Sequence, residues 1–205
     1  MNKKFLLIII LLISSKNYNL LAQEAKAKND FFENHPIDFA VGNFSVGMPF
    51  SKVFINRYYP LITLGTEFYY LKGKNSQIFQ TATIGGFYNK YNTSAFFLNT
   101  EIGYRYKFDF GLFADAGIGV GYSHLFHPNA IFKQNNDEEY EQVRDWGTPS
   151  LITDFSVSIG YDFSKRLRHN FSIFLRYGNY IQLFYNPDIP ALPQNSFQIG
   201  TRFFI

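Results

Sequence analysis

The last eleven residues, Asn195 to Ile205 (NSFQIGTRFFI), constrain the fold more than any other stretch. Phe197, Ile199, Thr201, Phe203 and Ile205 share one parity; Gln198, Gly200, Arg202 and Phe204 share the other. Side chains of a strand alternate faces, so one face is apolar and the other mostly small or polar. Such a strand at the C-terminus, behind an export segment, predicts the closing strand of a transmembrane β-barrel. Phe197, Ile199, Phe203, Phe204 and Ile205 are then its expected assembly signal.

The export segment is Met1 to Ala22. Lys3 and Lys4 precede the apolar run Phe5–Ile13, which is too short to span a bilayer and reads as a secretory signal peptide. Cleavage is expected near Ala22–Gln23, followed by a polar periplasmic leader over residues 23–36 and a barrel over 37–205. No later stretch reads as a transmembrane helix. The chain carries 19 Lys+Arg against 16 Asp+Glu, but Lys3, Lys4 and Lys16 leave with the signal, so the mature protein is balanced at 16 each. That balance argues against nucleic acid as a partner. With no cysteine, the chain has no disulfide, no thiolate metal site and no N-terminal lipid anchor.

Alternation predicts eight strands. The first, Ile37–Val46, slips near Asn43, where a bulge is expected. Leu61–Leu71 sets Ile62, Leu64, Phe68 and Tyr70 against Thr63, Gly65 and Glu67. In Gln77–Tyr88, Gln80 conflicts with Thr81 and Thr83, and the inward face stays open. Ala95–Tyr106 and Phe110–Tyr122 alternate cleanly; in the latter Gly117, Gly119 and Gly121 share a face, which eases curvature and leaves room for bulky neighbours. Leu151–Phe163 and Phe171–Phe184 follow, and Pro187, Pro190 and Pro193 argue against a regular strand over residues 185–194. The longest irregular stretch, residues 123–150, holds the acid run Asp137–Glu139 and the only tryptophan, Trp146, the best candidate for a loop contact.

With eight strands the long connections (47–60, 89–94, 123–150, 185–194) fall on one rim and the tight ones (72–76, 107–109, 164–169) on the other. Short periplasmic turns and longer extracellular loops are the rule for bacterial barrels. Aromatics make up 20% of the chain, more than a soluble core needs. Tyr69, Tyr70, Tyr104, Tyr106, Phe163 and Phe203 fall near the tight turns, and Tyr59, Tyr88, Tyr91, Tyr122, Phe126 and Tyr185 near the long loops, as two interfacial belts would. A soluble eight-stranded barrel would instead be polar outside and apolar inside.

Inward parity gathers Glu67, Glu101, Asp115 and Asp154 with Arg105, Arg176 and Arg202. An arginine on the lipid face costs about 2–4 kcal/mol at the midplane, so these charges belong in the lumen. Eight strands leave an interior just wide enough for side chains to fill, and seven charges of both signs favour a paired network over an open pore.

No catalytic, cofactor or metal site stands out. Ser123 and His124 lie near a rim, but neighbouring strand residues point to opposite faces and are poorly placed to serve each other as nucleophile and base. His124 and His127 with Asp137–Glu139 match no ligand spacing. Gly117–Gly121 lies within a strand, not before a helix, and is no phosphate loop.

The signal, the aromatic strand ends, the segment FFLNTEIGYRYKFDFGLFADAGIGVGY and the terminal TRFFI resemble small outer-membrane β-barrels of Bacteroidetes-type bacteria. More distantly the chain is similar to OmpA-like, OmpX and OmpW-like eight-stranded barrels. The resemblance covers residues 37–205 and implies an outer-membrane location, a lipid surround and handling by the barrel-assembly machinery. It maps no active-site residue here, and Ile205 replaces the usual terminal phenylalanine. The expected role is structural or interactive, with another outer-membrane protein as partner. A narrow channel and a lipid-modifying enzyme are the alternatives.

Overall fold

The computed structural model describes residues 35–48, 59–90, 93–128, 131–134, 140–143, 146–164, 170–183 and 190–204. The expected signal peptide, the expected leader up to residue 34, the Asp137–Glu139 run and Ile205 lie outside them.

Among the described residues ten strands form: β1 (Pro36–Val46), β2 (Pro60–Lys72), β3 (Ser76–Phe87), β4 (Ser94–Lys107), β5 (Leu112–Phe126), β6 (Ile131–Gln134), β7 (Tyr140–Val143), β8 (Thr148–Asp162), β9 (Phe171–Leu183) and β10 (Ala191–Phe204). Eight of them close an antiparallel barrel in the order β1-β10-β9-β8-β5-β4-β3-β2, and β6 and β7 pair as a separate ribbon. Each strand meets its sequence neighbour except where that ribbon interrupts. β1 closes the ring, pairing with β10 from Pro36↔Phe204 to Val46↔Gln194 and with β2 from Ile37↔Thr66 to Asn43↔Pro60.

The barrel wall is apolar outside, and its interior holds buried charges and amides together with aromatic rings. Ile62, Leu64, Ile102, Ile118, Ile159 and Ile199 are among many large apolar side chains exposed on its wall. Arg105, Arg202, Glu67, Gln182 and Gln198 are among the most buried. Strands of this length cross a bilayer when tilted, and closure leaves no unpaired edge. The fold is an eight-stranded transmembrane β-barrel.

Several expectations are corrected. No bulge occurs at Asn43: the β1–β10 ladder runs through it in register, and the β1–β2 ladder ends on it, opposite Pro60. Asn43 is covered because its Oδ1 accepts the Tyr59 N–H at 2.6 Å. The register shift lies instead in β2 against β3, between Tyr69 and Leu71. The irregular stretch is shorter than expected, since β5 runs to Phe126, β8 starts at Thr148 and the β6–β7 ribbon lies between. β10 begins before the expected Asn195 and includes Pro193, which pairs with Ile181 of β9. Pro193 sits one residue past the end of the β1 ladder, an edge position where its missing N–H is tolerated. The rims also divide less cleanly: connection 163–170 exceeds connection 88–93, although the two longest still share a rim.

One irregularity lies within a continuous register. The β3–β4 ladder lacks the pairs Thr81–Glu101 and Ala82–Thr100. Side chains take over: the Thr100 hydroxyl donates to the Thr81 carbonyl at 2.8 Å, and the Glu101 N–H donates to Thr81 Oγ1 at 3.0 Å.

Candidate functional site

The lumen is filled in layers. Nearest the short turns lies an ion network on strands β1, β2, β4, β5 and β10. Arg105 donates two hydrogen bonds to Glu67, at 2.7 and 2.8 Å, and its Nε donates to Asp115 at 2.9 Å. Arg202 makes two bonds of 2.8 Å to Asp38 and also reaches Glu67. Two of these pairs, Asp38↔Arg202 and Arg105↔Asp115, are direct cross-strand neighbours, the positions where opposite charges help a sheet. The Tyr69 hydroxyl donates to Glu67 at 2.7 Å, and Ser158 donates to Asp115.

Aromatic rings hold the guanidiniums in place. Arg105 lies 4.4 Å over Phe79 and 5.1 Å over Phe113; Arg202 lies 5.3 Å over Phe174. Those rings fit because glycines face them. A Cβ at Gly103 would strike the Phe79 ring, and one at Gly200 the Phe174 ring.

A second polar layer lies at mid-height. Glu101 accepts from Asn99 Nδ2 at 3.3 Å and from the Ser156 hydroxyl at 2.6 Å. Asp154, 7% exposed, faces the same space beside Glu101 and Asn99. Arg176 lies 5.0 Å over Phe174 and, among the described residues, joins no ion pair.

Towards the long-loop rim the lumen becomes apolar. Phe44, Leu61, Phe87, Ala95, Phe97, Leu125, Ile152 and Tyr180 form one buried cluster, with Tyr59 packed against it. Phe44 and Phe87 stack at 3.8 Å between centroids. The lumen is thus plugged by rings at one end and by ion pairs at the other.

All seven charges read from the sequence face the lumen, but they do not form one network. Glu67, Arg105, Asp115 and Arg202 are linked, while Glu101, Asp154 and Arg176 stand in the other layer. The sequence reading missed Asp38, which shares the inward parity of Ala40 in β1. It also placed Tyr69 and Tyr59 in the outer belts. Tyr69 shares Glu67's parity and turns inward, and Tyr59 packs on the plug. Tyr91 and Tyr185 lie outside the described residues. At the short-turn rim Tyr161, Phe163, Phe171 and Phe203 form a chain of ring contacts.

Ser123 is buried inside the wall, whereas His124 faces outward between Tyr122 and Phe126. His124 meets the Tyr122 hydroxyl at 2.7 Å and the Trp146 carbonyl oxygen at 2.9 Å. Serine and histidine therefore lie on opposite faces, and the histidine clamps the start of β8. Trp146 is 75% exposed at this rim. On the closing strand Phe197, Ile199 and Phe203 are exposed on the outer wall, and Phe204 sits on the other parity, opposite Pro36. Outside, strands β2 to β5 carry a shallow apolar groove of about 630 Å³, floored by Thr66, Ala82 and Thr100 between Leu64, Ile84 and Leu98.

No protein-family model matches the chain, and no curated protein does. Among solved structures it is similar to the outer membrane enzyme PagL, at 10% identity over 82% of this chain and 98% of that one, with a TM-score of 0.47. It is likewise similar to Neisserial surface protein A, at 12% identity over 83% and 95% of the two chains, TM-score 0.44. A designed transmembrane β-barrel matches at 15% identity over 84% and 96%, TM-score 0.45. At such distances activity does not transfer between chains of one fold.

Proposed function

We propose that the protein is an integral outer-membrane barrel with a closed lumen, acting as a structural or interaction component of an outer-membrane assembly. The observation that carries this reading is the filled interior: a ring cluster at the long-loop rim and ion pairs above the short turns. Its working surfaces are then the outer wall and the loop rim. The apolar groove over Thr66, Ala82 and Thr100 suits an acyl chain of the surrounding lipid. Trp146 stands at the rim, where an indole bridges headgroups and a partner protein. The closing strand, with Phe197, Ile199, Phe203, Phe204 and Ile205, is the segment offered to the barrel-assembly machinery after export on the signal peptide. The opposite facing of Ser123 and His124 weighs against a lipid-modifying enzyme built on that pair.

Two measurements test the reading. Purified protein in planar bilayers should give no steady conductance, and pull-down from solubilised outer membranes should recover a stoichiometric partner that is lost on Trp146→Ala. Steady conductance that changes on replacing Arg176 would make the protein a channel instead. A silent barrel recovered alone would refute the accessory role.

A further inference from the structure

We infer that the outer-wall groove seats one acyl chain of a bilayer lipid as a fixed, stoichiometric ligand. The inference deepens the reading of the wall as a working surface and rests on it; it does not need a partner at Trp146. Three observations carry it.

The first is shape. Pairing sets Thr66 of β2 opposite Ala82 of β3, and the continuous β3–β4 register brings Thr100 of β4 abreast of Ala82. Three small side chains therefore stand in one row across three strands. Ile37, paired with Thr66, closes the row on β1, and Val120, paired with Thr100, closes it on β5. Two residues along the strands to one side runs the row Leu64–Ile84–Leu98, and two to the other side the row Phe68–Gln80–Ile102. Side chains in a sheet stand roughly perpendicular to it, so the small row is a trough between two ridges. The ridges are four residues apart along each strand, about 13 Å at the usual strand rise. Their side chains lean into that width, which leaves room for a hydrocarbon chain and too little for a helix roughly 10–12 Å across.

The second observation is chemistry. The Thr100 hydroxyl donates to the Thr81 carbonyl at 2.8 Å and accepts from Gln80 Nε2 at 2.8 Å. Gln80 Oε1 accepts from the Tyr70 hydroxyl. These polar atoms bond to the wall and to one another, and the lining they leave is almost wholly apolar. The exposed ridge residues Leu64, Ile84, Leu98 and Ile102 make the trough continuous with the lipid-facing wall. Lipid tails are as apolar as that wall, so burial alone holds no chain in place. Contact does: on a flat wall a chain touches protein on one side, whereas in the trough floor and ridges enclose it, and dispersion sums over those contacts.

The third observation is position. The floor lies over Ala82–Thr100, a pair that the β3–β4 ladder lacks. A seated chain covers that break and keeps water from it.

The test uses barrels refolded into micelles doped with dipalmitoyl phosphatidylethanolamine and read by native mass spectrometry. The wild type should retain one lipid after the micelle is stripped. Ala82→Leu fills the trough with a side chain suited to the lipid face; it should still fold, as heat-modifiable migration checks, and should lose the lipid. Ala114→Leu, on the outer face of β5 beside Tyr106 and away from the trough, should keep it. Should Ala82→Leu not assemble, Thr66→Leu fills the same row. In hydrogen exchange, added lipid should slow the amides around Ala82 and Thr100 in the wild type and not in the filled variant. A wild type stripped bare, or equal retention by the filled variant and the wild type, would overturn the seat. So would a wild-type dimer, or a bound transmembrane helix, that is lost on Ala82→Leu while no lipid is retained. Conductance and the Trp146 pull-down judge the accessory role separately, so either reading can fail without the other.

Discussion

Replacing Arg105 with methionine should be among the most damaging single changes in the barrel. The guanidinium is 1% exposed, makes two bonds to a fully buried Glu67 and one to Asp115, and lies over Phe79 and Phe113. Removing one partner of a buried ion pair typically costs about 3–5 kcal/mol, because the other charge stays behind. Here Glu67 keeps Arg202 and the Tyr69 hydroxyl, and Asp115 keeps Ser158. That residual pairing places the expected loss near the lower bound, about 3 kcal/mol. Lysine at the same position keeps the charge but loses the planar fork that serves two carboxylates at once, and should fall between. The double variant Glu67→Gln/Arg105→Met removes the stranded charge, so its loss should be smaller than the sum of the single losses by about 1–3 kcal/mol. Urea unfolding of barrels refolded into micelles, followed by gel migration, measures the wild type, the three single variants and the double variant. Additive losses, or a methionine variant within about 1 kcal/mol of wild type, would show that the pair contributes nothing specific.

Other expectations follow from the same geometry. Gly103→Ala should lose about 1–3 kcal/mol by pressing a methyl into Phe79, and adding Phe79→Leu should recover part of it in the same assay. Ile118, 68% exposed near the middle of β5, should cost about 2–4 kcal/mol as arginine. The nearby lumen-facing Ser156→Ala should cost less. Gly147 holds a φ of +77°, and a Cβ there would strike His124. Gly147→Ala should therefore release the clamp on Trp146, speeding proteolysis between β5 and β8 while lowering global stability by only about 1–2 kcal/mol.

Strand alternation made the barrel legible because membrane burial inverts the usual pattern: apolar residues face out and charges face in. Parity alone placed Glu67, Arg105, Asp115 and Arg202 on one inner surface. It could not say which charges touch, since Glu67 meets Arg105 and Arg202 across the lumen and not along a ladder. β3 resisted assignment because Gln80 is a polar residue on the outer wall. Its amide is satisfied there, accepting from Tyr70 and donating to Thr100 at 2.8 Å, a local solution that no periodicity reveals. Asp38 was passed over because β1 carried the least regular pattern, although its ladders are continuous. Tyr69 could have been read correctly from its spacing of two from Glu67.

The interruption between β3 and β4 has a mechanical consequence. A barrel drawn out of a bilayer by one terminus yields hairpin by hairpin, and each step resists through the ladder bonds it must break. Between Thr81–Ala82 and Thr100–Glu101, hydroxyl groups stand where backbone pairs would share the load. Side-chain bonds give way one at a time under tension, whereas a ladder gives way together. The β3–β4 hairpin is thus the place where the wall would tear at the lowest force, and where deuterium would first reach amides that lie at the centre of the membrane.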